Sequence, residues 1–186
     1  MKIALLYYDE FAEFEAVLVG LLFRNHEFVA VGLEDREYRS EEQQRFCVDE
    51  IVKDVDIKSI DLFVIPGGEP EFLVNNLELK EFIKKLLARD KKVAGICGGA
   101  AVLASFGFLK GKRCTGLASA TALDIPEYQY FSDTEFLEDQ VVVDGNIITA
   151  QGQAYVEFAF ELAKQMGLLE KEEEYEAGIQ WFRNIN

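Results

Sequence analysis

The feature that most constrains this 186-residue chain is an alternation between short, almost wholly apolar runs and segments with helical spacing. Lys2–Tyr8 (KIALLYY) predicts a buried strand, Phe11–Phe23 a helix, and Phe28–Leu33 (FVAVGL) a second strand. Leu62–Ile65 (LFVI) predicts a strand that stops at the turn Pro66-Gly67-Gly68. Leu77–Asp90 places Leu79, Phe82, Ile83, Leu86 and Leu87 at helical intervals. Lys92–Ile96 predicts another strand, followed by a helix from about Gly99 to Phe108. Val141–Val143 and Ile147–Thr149 flank the hairpin turn Asp144-Gly145-Asn146. Tyr155–Met166 predicts a strong helix, and Lys171–Asn186 a further one carrying Trp181 and Phe182. Glu34–Asp56 is charged and weakly patterned, a hairpin or an irregular excursion. Strands this apolar need cover on both faces. The expectation is one three-layer, doubly wound α/β domain over residues 1–186, its mostly parallel sheet flanked by helices and its ligands at the strands' C-terminal ends.

Composition narrows the function classes. Thirty-four acids against nineteen bases give a formal net charge of −15, which disfavours non-specific nucleic-acid binding. No apolar run approaches the roughly 20 residues of a membrane span, and the N-terminus meets Asp9 and Glu10 before a signal-peptide core is complete. A soluble, cytoplasmic protein is expected. Cys47, Cys97 and Cys114 are an odd set without CxxC spacing, so neither a disulfide framework nor a common zinc site is indicated. His26, the only histidine, reads as a polar connector between helix and strand. The first strand runs into Asp9-Glu10 rather than a glycine-rich phosphate loop, so no nucleotide, flavin or metal cofactor is expected.

Three strand ends carry the candidate chemistry. In VAGICGGAAVL, Cys97 ends a buried strand and small residues open a helix at once, the shape of a nucleophile elbow with cysteine in the serine position. The N–H groups of a helix start are expected to lower a thiol pKa there. A structural cysteine beside a tight turn is the alternative. Gly67 and Gly68 let the backbone approach a ligand, and with the Gly98 N–H they are candidates for an oxyanion hole. An ordinary strand-to-helix turn is the alternative. Glu15 falls in line with Phe11, Leu18 and Leu22. A carboxyl on an apolar stripe is costly unless paired or protonated, so Glu15 is either a third solvent-facing acid of the helix start or a candidate to hold a proton and donate it to sulfur. Glu10 and Glu13 read as solvent-facing acids, as does the run Glu170–Glu176.

The ordered set DEFAEFE (Asp9–Glu15), DLFVIPGGEP (Asp61–Pro70), VAGICGGAAVLA (Val93–Ala104), LKGKRCTG (Leu109–Gly116), VVVDGNIITAQG (Val141–Gly152) and VEFAFEL (Val156–Leu162) resembles the ThiJ/PfpI superfamily, from about residue 2 to 167. The resemblance implies a flavodoxin-like fold related to class I glutamine amidotransferases, and a homodimer. It implies a Cys97 nucleophile prone to oxidation, a supporting protonated Glu15, and oxyanion donors around Gly67, Gly68 and Gly98. Protease-type members carry histidine after the cysteine, where this chain has Gly98, and Arg113-Cys114-Thr115-Gly116 lacks the histidine that deglycase and glyoxalase members often carry. Ala100 stands where many members have proline, and Gly152-Gln153-Ala154 where they have glycine-proline-glycine. Proteolysis is therefore disfavoured. Cys114 and Thr115 are possible pocket residues, with Cys114 either a resolving thiol or core packing. Asp124-Ile125-Pro126, Tyr128 and Tyr130 resemble a loop over the site. The expected partner is a small electrophilic carbonyl or amide, handled by glyoxalase-, deglycase- or amidase-like chemistry. The alternatives are a redox or stress sensor working through Cys97 oxidation, and a metabolite binder without chemistry.

Overall fold

The structure, a computed structural model, describes residues 1–116 and 126–184. Seven strands form the main sheet: β1 (Lys2–Leu6), β2 (Glu27–Gly32), β5 (Glu50–Ile51), β6 (Leu62–Ile65), β7 (Lys92–Ile96), β10 (Val141–Asp144) and β11 (Ile147–Ala150). Their spatial order is β10-β11-β7-β6-β1-β2-β5, parallel throughout except for the β10–β11 hairpin. Two short pairs lie outside it: β3 (Tyr38–Arg39) with β4 (Arg45–Phe46), and β8 (Arg113–Cys114) with β9 (Glu135–Phe136).

Alternation along the strands builds two separate cores. Ile3, Leu5, Leu62, Val64, Ala94, Ile96, Ile148 and Ala150 face α1 (Phe14–Leu22) and α4 (Tyr155–Gln165). Ala4, Leu6, Phe63, Ile65 and Val93 face α2 (Leu77–Leu87) and α3 (Gly98–Ser105). A fifth helix, α5 (Glu172–Arg183), lies outside α4 with Tyr175, Ile179 and Phe182 packed toward it. This is the expected three-layer α/β architecture. The order of strands reverses between β1 and β6, where ligands of such sheets bind.

Several boundaries differ from expectation for identifiable reasons. The first strand stops at Leu6 and the first helix begins only at Phe14. The backbone between them is taken up by tertiary pairing: Glu10 N–H donates to Arg39 O at 2.7 Å, Ala12 N–H to Gly67 O at 2.8 Å, and Glu41 N–H to Phe11 O at 3.0 Å. Glu13 is half-buried rather than solvent-facing, accepting from Ser40 Oγ at 2.9 Å and from the Gln44 side chain. The charged excursion contains the β3–β4 hairpin, and it also supplies the edge strand β5. Asp124 and Ile125 lie outside the described residues; Pro126–Phe131 forms a 3-10 helix in which Tyr130 packs partly buried against the core. His26 follows α1 and precedes β2, at the sheet end opposite the strand C-termini. The acids from Glu170 to Glu174 are exposed. Among the described residues, no helix is long and apolar enough to cross a membrane.

Candidate active site

Cys97 stands between β7 and α3 at φ 53°, ψ −119°, a backbone conformation that a residue with a Cβ adopts only when its surroundings impose it. Those surroundings are visible. Cys97 N–H donates to Ala150 O at 2.9 Å, which fixes the strand side, and Ala100 N–H donates to Cys97 O at 3.1 Å, which starts the helix. Gly99 lets α3 begin against the end of β6, since a Cβ there would overlap Ile65 O. The thiol is half-buried and accepts from the Gly98 and Gly68 N–H groups.

Glu15 reaches the same point from α1. Its side chain is buried, with the residue 1% exposed, and hydrogen-bonds the Cys97 thiol. Gly67 N–H donates to Glu15 Oε2 at 2.7 Å. That bond alters the expected role of Gly67, because the N–H proposed for an oxyanion is committed to the acid. Gly68 and Gly98 keep theirs directed at sulfur. Gly68 sits at φ +110°, and the space its Cβ would need is filled by Glu10 O, part of the antiparallel bridge between Phe11 and Gly68. This bridge ties the loop after β1 to the loop after β6, and so brings α1 and its carboxyl over Cys97.

The electrostatics follow from burial. Desolvation lifts the Glu15 carboxyl from 4.5 to about 8, against the Gly67 N–H and the Cys97 hydrogen bond, with Glu41 and Glu42 adding to the rise. Burial, and after it the charge of Glu15, pushes the Cys97 thiol up to about 12, opposed by the Gly98 and Gly68 N–H groups. The expectation that the helix start alone lowers this thiol is therefore corrected: its N–H groups pull in that direction, but desolvation outweighs them. Two anions in contact are disfavoured here, so the pair retains at least one proton across the neutral range.

Two site residues escaped the sequence reading. Gly152, which follows β11, walls the pocket: a Cβ there would lie 2.7 Å from Glu15 Oε1 and 3.1 Å from Cys97 Sγ. Tyr8 is buried beneath the site and donates its hydroxyl to Gly67 O at 2.6 Å, steadying the peptide whose N–H holds Glu15. The only signal for Tyr8 was a hydroxyl at the end of an otherwise apolar run. Cys114 and Thr115 lie elsewhere. Cys114 is fully buried in the core that faces α2 and α3, hydrogen-bonded to Thr134, whereas Cys97 packs against the opposite core. Thr115 N–H donates to Thr149 Oγ1 at 2.9 Å, and the Thr115 hydroxyl is buried without a hydrogen-bond partner among the described residues. Cys47 is exposed. Among the described residues, no group of three or more His, Cys, Asp or Glu is arranged to hold a metal ion.

A doubly wound sheet with a strained cysteine elbow at the C-terminal end of β7, faced by a buried carboxyl, defines a class of cysteine-elbow α/β proteins. The chain belongs to the DJ-1/PfpI family, whose profile matches residues 1–165. It is 31% identical over 140 residues to protein DJ-1 homolog D of Arabidopsis thaliana, covering 72% of this chain and 35% of the plant protein. An uncharacterized protein of Methanocaldococcus jannaschii is 35% identical over 124 residues, 64% of this chain and 58% of its own length. The chain thus spans about a third and somewhat over half of these two relatives. A deglycase of Thermococcus kodakarensis is 29% identical over 154 residues, covering 81% of this chain and 90% of that protein. Among solved structures, a DJ-1 superfamily protein from Agrobacterium tumefaciens superposes with a TM-score of 0.82 at 31% identity, covering 98% of this chain and 97% of that one.

Proposed function

We propose that this protein adds the Cys97 thiol to a small electrophilic carbonyl or amide, in glyoxalase-, deglycase- or amidase-like chemistry, with Glu15 moving the proton. The observation that carries this reading is the hydrogen-bonded pair of Glu15 and Cys97, both lifted by burial, beside two N–H groups aimed at the sulfur. When the pair holds one proton, sulfur bonds to the carbonyl carbon and the carbonyl π pair moves to oxygen. Glu15 delivers the shared proton to that oxygen, leaving a neutral hemithioacetal. The Gly68 and Gly98 N–H groups, which face the thiol, stabilise the developing oxyanion. With an amide, the same proton goes to the departing amine and water then releases the acyl group from sulfur.

The names of similar proteins support the carbonyl version, since several are deglycases. No imidazole stands at the elbow, because His26 lies at the other end of the sheet, and this favours a carboxyl-only proton path over a Cys–His dyad. Steady-state assay with methylglyoxal tests the proposal: turnover is expected from the wild type and not from Cys97→Ser, and equal rates in both would remove it.

We further propose a homodimer. The exposed apolar stripe Phe14, Val17 and Leu21 on α1, 46%, 60% and 42% exposed, offers a face for a second copy. Light scattering should give twice the 21.1 kDa chain mass for the wild type and a monomer for Val17→Glu; a monomeric wild type would refute it.

A further inference from the structure

We propose that Arg183, on the C-terminal helix α5, is a positioning residue that holds the Gly152 wall against the Cys97–Glu15 pair. The inference builds on the catalytic reading of that pair. Its first observation is clearance: the Gly152 backbone leaves no room for a methyl group beside Glu15 Oε1 or Cys97 Sγ. Any drift of this segment changes the space in which acid and thiol meet.

The second observation is what secures the segment. Arg183 Nη2 donates to the carbonyl of the next residue, Gln153, at 2.8 Å. The same guanidinium grips Glu157 with both arms, Nε to Oε1 at 3.1 Å and Nη2 to Oε2 at 2.6 Å. It also lies 5.3 Å from the ring centroid of Tyr155, which meets Phe14 edge-on at 5.5 Å. Phe14 is the neighbour of Glu15 in α1. One side chain thus braces the wall directly and the acid's helix through a single ring.

Arg183 is held in register by the packing of α5. Phe182 and Tyr175 contact Phe160 at ring separations of 5.8 and 6.5 Å, and a Cβ at Gly178 would overlap the Phe160 ring. The Arg183 and Glu157 side chains are 28% and 13% exposed, so the ion pair is largely sheltered from water. Residue 183 lies beyond residues 1–165, the segment matched by the family profile.

The test is the pH profile of Cys97 alkylation by iodoacetamide, read by peptide mass spectrometry on the full chain, with circular dichroism confirming the fold. Arg183→Met should slow Cys97 alkylation at pH 8 by roughly three- to tenfold and displace the midpoint, within the ~100-fold that a 1 Å misplacement can cost. Gly152→Ala should move the same profile directly. The double variant Glu157→Gln/Arg183→Met should keep the displacement, separating geometry from the field of an unpaired Glu157. If Arg183→Met does not fold, Arg183→Lys keeps a cation on Glu157 but loses the fork, and a smaller displacement is expected. A profile for either folded Arg183 variant that superposes on the wild type, while Gly152→Ala moves it, overturns the proposal. A wild-type Cys97 profile that is unchanged in Glu15→Gln instead overturns the acid–thiol reading beneath it.

Discussion

Glu15 links the chemistry of the site to the stability of the chain. In the unfolded chain it titrates near 4.5, and in the folded protein burial holds it near 8. Below pH 4.5 the carboxyl is protonated in both states and exerts no pull. Between 4.5 and 8 the unfolded chain releases a proton that the folded protein keeps, so this group lowers stability progressively as pH rises and has its full effect above 8. The span corresponds to at most about 5 kcal/mol. Urea unfolding should therefore show Glu15→Gln gaining on the wild type between pH 6 and pH 9, and a constant difference would contradict it. Cys97 alkylation should accelerate through a step near pH 8, absent in Glu15→Gln, as the pair loses its first proton. Glu15 was legible in the sequence because it stands in line with Leu18 and Leu22. Gly152 and Tyr8 were not, because their roles depend on an approach between segments more than fifty residues apart.

The elements show where patterning suffices and where tertiary pairing takes over. Leu62–Ile65 and Lys92–Ile96 were read to the residue, since Asp61 and Pro66 bound the first apolar run and Lys92 and the Cys97-Gly98 turn bound the second. The late start of α1 was hidden: DEFAE has helical character, but its backbone bonds go to Arg39 and Gly67. The strand β5 and the β8–β9 pair were missed because two residues carry no periodicity. The junction of β7, α3 and β6 is the tightest of these contacts. Gly99→Ala would drive a methyl into Ile65 O and lie 2.8 Å from Pro66 O. Its expected cost is about 2–3 kcal/mol in denaturant unfolding. A loss below about 0.5 kcal/mol would mean that the helix start shifts freely.

At the scale of the whole molecule, the charge of −15 sets which reagents reach the sulfur easily. Acids also gather around the site loops. Glu69 follows Gly68 and its N–H donates to Glu10 O at 3.0 Å, while Glu42 Oε2 accepts from Glu13 N–H at 3.1 Å. An anionic electrophile meets this field and a neutral one does not. Iodoacetate should therefore modify Cys97 faster as salt is raised from 10 to 500 mM, with iodoacetamide little affected. Parallel salt responses would show that the field does not extend to the thiol. The backbone at residue 97 has a wider consequence. Glycine would occupy that bend at ease, so the folded chain is less stable than its own scaffold permits at the one place where a sulfur is presented. Efforts to make this protein hardier by substituting conformationally relaxed residues would be drawn to that position first, and would extinguish its reactivity there.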